Sequence, residues 1–183
     1  GGEGLMDDHD HGPEDSFSST TAASFSVDMA IGAVDGNASE TVGTAYGYQI
    51  DLSTSFTGED ALSVSLDAGS GASSLGELDL NSSGDGLIVD GITYTFPVGE
   101  KLTVLVGDST DGSALYSTAC VYGGFTNTLD DCGNASSAFT SPSNGATISA
   151  SYDIGNGFTG ALGYAGEGTS DGLMTKAGTD MFG

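Results

Sequence analysis

Between residues 46 and 68 the chain reads YGYQIDLSTSFTGEDALSVSLDA, and every second residue from Tyr46 shares a character: Tyr46, Tyr48, Ile50, Leu52, Thr54 and Phe56. The positions between them are Gly47, Gln49, Asp51, Ser53 and Ser55. A period of two sends alternate side chains to opposite faces of a strand, so the stretch predicts a strand with one apolar and one polar face. After TGED the alternation resumes with Leu62, Val64, Leu66 and Ala68 against Ser63, Ser65 and Asp67, which predicts a β-hairpin. Phe25, Val27, Met29, Ile31 and Ala33 mark an earlier strand with Ser26, Asp28 and Ala30 opposite. A second hairpin is expected from Ile92, Tyr94 and Phe96 before PVGE and Leu102, Val104 and Val106 after it. Pro97 is expected in its turn, because proline has no N–H for a ladder. Ala146, Ile148, Ala150 and Tyr152, then DIGNG, then Phe158, Gly160, Leu162 and Tyr164 predict a third hairpin.

The connections alternate strictly in length. TGED, PVGE and IGNG are tight, whereas residues 35–43, 69–86, 108–145 and 165 to about 180 are long and polar. In an up-and-down meander this collects the tight turns at one end and the long loops at the other. Outer-membrane barrels have that asymmetry. The ten steps from Tyr46 to Phe56 span about 33 Å at 3.3 Å per residue, and a tilt near 40° projects them to roughly 25 Å, the height of a barrel's apolar band. Aromatic residues at both ends of that row, with Ile50 and Leu52 between, suit rings at two membrane interfaces. No run of about eighteen apolar residues exists to form a transmembrane helix, a restriction that leaves crossing by strands open. The 108–145 connection is long enough to fold inward as a constriction or to cap the outside.

Composition narrows the function classes. The 183 residues include 31 glycines and 3 prolines, and 26 acidic residues face only Lys101 and Lys176, a net charge of -24. Such a field repels phosphate, which argues against nucleic acid as a partner, and it attracts cations. Residues 1–15, GGEGLMDDHDHGPED, read as an acidic flexible linker. Asp7, Asp8, His9, Asp10 and His11 present imidazole and carboxylate ligands for a transition metal. A solvated acidic tail is the preferred reading, because a flexible peptide loses ordering entropy on binding. Asp85 and Asp90 flank the apolar run in GDGLIVDG, and a turn capped by Asp85 is preferred there to a metal site. Cys120 and Cys132, with eleven residues between them and without a nearby His or third Cys, are better read as a loop-closing disulfide of an oxidising compartment than as a zinc site. Closure would stabilise by about 3 kcal/mol on the chain-entropy model; two unpaired thiols are the alternative. P-loop and H-E-x-x-H motifs are absent, and the motifs are read as giving no catalytic residue, no cofactor and no support for an enzyme.

Three stretches carry a family resemblance: TSFTGEDALSVSLDAG at 54–69, LNSSGDGLIVDGITYTFPVGEKLTVLVG at 80–107 and GYAGEGTSDGLMTKAGTDMFG at 163–183. They resemble the barrel of cyanobacterial outer-membrane iron-uptake porins, which often carry an S-layer-homology domain and are related to the carbohydrate-selective OprB-type porins. The resemblance implies an all-β, antiparallel up-and-down transmembrane β-barrel over residues 16–183. Seven strands and the start of an eighth are legible, the N-terminal half of a larger barrel of about sixteen, so two sheet edges are expected to be open. Residues 1–15 would be the trailing linker of the S-layer-homology domain. It further implies an outer-membrane location and a homotrimer.

With the apolar face toward lipid, Tyr46, Tyr48, Ile50, Leu52, Phe56, Leu62, Val64 and Leu66 meet the bilayer, and Asp28, Gln49, Asp51, Asp67 and Asp153 face the lumen. Acidic linings favour cations over anions. The expected function is a passive channel for small hydrophilic solutes, among them inorganic iron, other cations or carbohydrates. The competing class is a secreted or S-layer-like acidic β-sandwich adhesin whose apolar faces would pack on each other, and a third reading is an acidic extracellular calcium-binding module. Detergent dependence separates the first two, and calcium-dependent folding would reveal the third.

Overall fold

The structure is a computed structural model that describes residues 20–36, 40–71, 80–81, 83–110, 112–116, 145–167 and 172–183. Its elements are β1 (Thr21–Gly32), β2 (Gly43–Thr54), β3 (Ala61–Gly69), β4 (Ile88–Val98), β5 (Leu102–Asp108), β6 (Ala146–Gly155), β7 (Phe158–Gly166) and β8 (Asp180–Phe182). All eight lie in one antiparallel sheet in sequence order, a simple meander with no α-helix among the described residues. The sheet is not closed into a barrel: β1 pairs only with β2, and β8 only with β7, among the described residues.

Directly opposed residues in an antiparallel pair share a face, so the register tests the alternation strand by strand. Phe25 lies opposite Ile50 and Ile50 opposite Leu66, while Leu52 lies opposite Val64 and Val64 opposite Ile92. Farther along, Leu62, Tyr94, Val106, Ile148, Tyr164 and Phe182 form one row across β3 to β8. Each strand's local apolar pattern therefore joins its neighbours in a single surface.

The short connections sit where the sequence puts them. Between β6 and β7, Asn156 and Gly157 both have positive φ, 56° and 83°, the two-residue turn whose twist matches a hairpin. Pro97 requires a correction. It lies inside β4, opposite Thr103 of β5, and not in the turn, which is Gly99 to Lys101. Pairing of β4 with β3 ends at Ala61 and Thr95, so Pro97 has a strand on one side only and behaves as an edge residue. Bulges interrupt the ladder between Ser65 and Leu66, where Asp90 is the extra residue, and between Asp153 and Gly155.

Little of the molecule is a packed interior. The buried apolar pair Ala45 and Leu80, with Ala30 against it, lies on the polar face, because Ala45 shares the parity of Gly47 and Gln49. The linker 1–15, with His9 and His11, and the proposed Cys120–Cys132 pair lie outside the described residues.

Candidate functional site

The sheet presents two chemically distinct faces. On the apolar one, Tyr46, Tyr48, Ile50, Leu52, Leu62, Val64 and Leu66 are side by side as the alternation requires, each half-buried between flanking strands. Phe56 is displaced from that row: β2 ends at Thr54, and Phe56 stands in the following turn with its ring 6.2 Å from that of Tyr94. Large apolar side chains on this face are open to solvent from one edge to the other, including Met29 at 81%, Phe158 at 70%, Leu162 at 66% and Phe182 at 66% exposed. A soluble monomer rarely leaves an apolar patch of such extent in water.

Aromatic residues concentrate at the two ends of the strands. Phe56, Tyr94, Phe96, Tyr152 and Phe158 lie toward the short turns, and Tyr46, Tyr48, Tyr164 and Phe182 toward the long loops. Aliphatic residues such as Ile50, Val64, Val104 and Ala150 fill the middle, with Phe25 opposite Ile50 as the aromatic exception. Three of the phenols are tied to carboxylates: Tyr46 donates to Asp85 Oδ1 at 2.6 Å, Tyr94 to Asp60 Oδ2 at 2.7 Å, and Tyr164 to Asp180 Oδ1. An apolar ring with its hydroxyl held toward charge suits a boundary between hydrocarbon and water. The sequence shows no sign of these pairs, since their partners are 39, 34 and 16 residues away.

Asp60 organises the turn between β2 and β3. Its Oδ1 accepts from Ser55 Oγ, from the amides of Phe56 and Thr57, and from Thr57 Oγ1, all at 2.7 to 3.0 Å. The Tyr94 hydroxyl on its other oxygen, followed by the Thr57 amide, holds its carboxyl well below the usual range against the opposing pull of burial. The residue is only 6% exposed.

The polar face carries Ser, Thr, Gly and Asp. Gln49 lies opposite Asp67, and Asp51 opposite Ser65. Gln49 Nε2 and Ser65 Oγ both donate to Asp51 Oδ1, at 2.8 and 2.7 Å, which fixes that carboxylate on the face. Asp28 is an exposed neighbour on β1, opposite Gly47. Asp67 differs from these in being 6% exposed. Asp153 is separated from the group by two strands and sits at the β6 bulge, where its Oδ1 accepts the Gly155 amide, so it shapes a turn.

Two loop segments lie across this same face. Thr147 Oγ1 donates to the Thr110 carbonyl at 2.7 Å and Ser149 Oγ to the Gly112 carbonyl at 2.9 Å, bringing Thr110 and Gly112 over β6 and β7. A Cβ on Gly163 would collide with the Gly112 carbonyl, so glycine there admits the segment. Leu80 lies over Gly47 and Gly69 in the same way, 3% exposed. The described beginning of the 108–145 connection therefore lies against the polar face. Among the described residues no three His, Cys, Asp or Glu side chains converge as a metal site would require. No protein-family model, no curated protein and no solved structure matches the chain.

Proposed function

We propose that this sheet is part of the wall of a transmembrane β-barrel in an outer membrane, and that its polar face lines a passive channel for small hydrophilic solutes. The observation that carries the reading is the apolar face, continuous over eight strands and uncovered, opposite a face of small polar and acidic residues. Hydrocarbon is the partner whose chemistry and thickness fit that face, with tyrosines at its borders. Open strand edges are not tolerated in lipid, so β1 and β8 would be paired in the assembled wall, by further strands or by other subunits.

In this reading no residue performs chemistry. The segments at Leu80 and at Thr110 and Gly112 narrow the path, and the carboxylate row around Asp51 attracts cations and repels anions. Inorganic iron, other metal cations and uncharged sugars are the candidate solutes, and a homotrimer is the candidate assembly. The test is behaviour in lipid. The chain, within its longer protein where one exists, should require detergent for solubility and give stepwise conductance in planar bilayers, with reversal potentials on the cation side under a salt gradient. A monodisperse β-protein in plain buffer that produces no conductance overturns the proposal and returns the acidic β-sandwich.

A further inference from the structure

The segment that includes Leu80, Asn81 and Ser83 to Asp85 grips the long-loop end of β2 and β3 from both faces. On the polar side Leu80 fills the space above the opposed pair Gly47 and Gly69. A Cβ on Gly69 would collide with the Leu80 and Asn81 carbonyls, so the approach depends on glycine. Around the strand end, Gly71 donates to the Leu80 carbonyl at 3.2 Å, the Gly69 amide to Ser83 Oγ at 3.0 Å, and the Asp85 amide to the Gly69 carbonyl at 3.3 Å. On the apolar side Tyr46 donates its hydroxyl to Asp85. The pair Gln49 and Asp67 is the next step along the polar face from Gly47 and Gly69. Asp67 is nine-tenths buried there, whereas Asp51, one pair farther on, is half-buried.

We propose that this segment is a strap that withholds Asp67 from the water path, so that Asp51 acts as the selectivity carboxylate when the strap is seated and Asp67 joins it when the strap lifts. The strap's position stands on the structure alone; its effect on ion choice rests on the channel reading above. Two anchors of different chemistry hold it, apolar burial of Leu80 inside and the Tyr46–Asp85 hydrogen bond outside, and each can be removed separately. Releasing either shifts the balance toward the lifted arrangement without touching a carboxylate of the row.

The experiment is modification of carboxyl groups with a water-soluble carbodiimide and glycine ethyl ester, read by peptide mass spectrometry on the protein in detergent. In the parent, Asp67 should react slowly and Asp51 readily. In Leu80→Asn the Asp67 rate should rise roughly tenfold, as loss of a buried leucine side chain implies, with the Asp51 rate unchanged. Tyr46→Phe keeps the ring, serves as the second variant should Leu80→Asn fail to fold, and should raise the Asp67 rate by a smaller factor. Fast labelling of Asp67 in the parent, or an unchanged rate in folded Tyr46→Phe and Leu80→Asn, overturns the strap. If labelling rises as expected but neither variant nor parent conducts in bilayers, the strap stands and the channel reading falls.

Discussion

Asp60 accepts five hydrogen bonds, four within its own turn and one from Tyr94, 34 residues away on β4. The carboxylate therefore joins a local turn to a distant strand through charge-assisted bonds, which an asparagine weakens, because it is neutral and makes the Tyr94 hydroxyl an acceptor instead of a donor. Asp60→Asn should lower the thermal midpoint at pH 7, followed by circular dichroism in detergent. The pH dependence has a definite sign. The folded-state carboxyl titrates below its unfolded value, so its contribution is fully present above the unfolded pKa of about 4 and is lost as pH falls below it toward the folded pKa. The gap in midpoint between parent and Asp60→Asn should therefore narrow below about pH 4. A gap that widens there would mean that Asp60 is not the ionised centre of the turn.

At the scale of the element, each strand asks its two faces to meet different surroundings, so substitutions on the two faces should have opposite phenotypes. Leu52 lies two residues before the end of β2, between Ala23 and Val64 on the apolar face. Leu52→Lys places a charge on the proposed lipid band, between its middle and its short-turn border, and should cost about 2 kcal/mol, seen as a loss of assembled, heat-resistant protein on cold electrophoresis. Normal assembly of that variant would remove lipid from this face. The loop segment on β6 and β7 makes a separate test. Gly163→Ala puts a methyl group where the Gly112 carbonyl lies, so hydrogen exchange across Thr110 to Tyr116 should accelerate while the β2–β3 hairpin keeps its protection. Unchanged exchange would show that the segment does not rest on that wall.

At the scale of the molecule, the described residues form an open sheet with two free edges, and nearly all the charge of the chain is of one sign. Its stability in isolation should be low, because a single layer buries one face only partly and the pair Ala45 and Leu80 is a small core. In a complete wall, Asp51→Asn should keep the Gln49 and Ser65 contacts possible at Oδ1 while removing the charge. Cation over anion permeability should fall with no loss of assembly, measured by reversal potentials under a salt gradient. An unchanged ratio would take Asp51 out of the path. Asp67→Asn should change the ratio less than Asp51→Asn in the seated arrangement, because its carboxylate is shielded from the solvent that ions occupy.

The strands, their two faces and their order were legible in the sequence because these are decided locally. An alternation of period two forces side chains apart by backbone geometry, and the alternation of tight and long connections leaves little choice but a meander. Asn156–Gly157 was readable as a turn for the same reason, its positive φ values being cheap for those residue types. Other features depended on contacts between residues distant in the chain. Pro97 entered β4 because β3 had already turned away, and Phe56 left the apolar row because Asp60 pulled its amide into a turn. Asp28, Gln49, Asp51, Asp67 and Asp153 share a pattern but divide into an exposed neighbour, a fixed pair, a buried carboxylate and a turn residue, a distinction that lies in register and cover. Leu80 sits in a polar loop, and nothing in its neighbours announces that it lies on Gly47 and Gly69. Periodicity fixes the side of the sheet a residue occupies; what lies against that side is set by chain segments tens of residues away, and only folding brings them there.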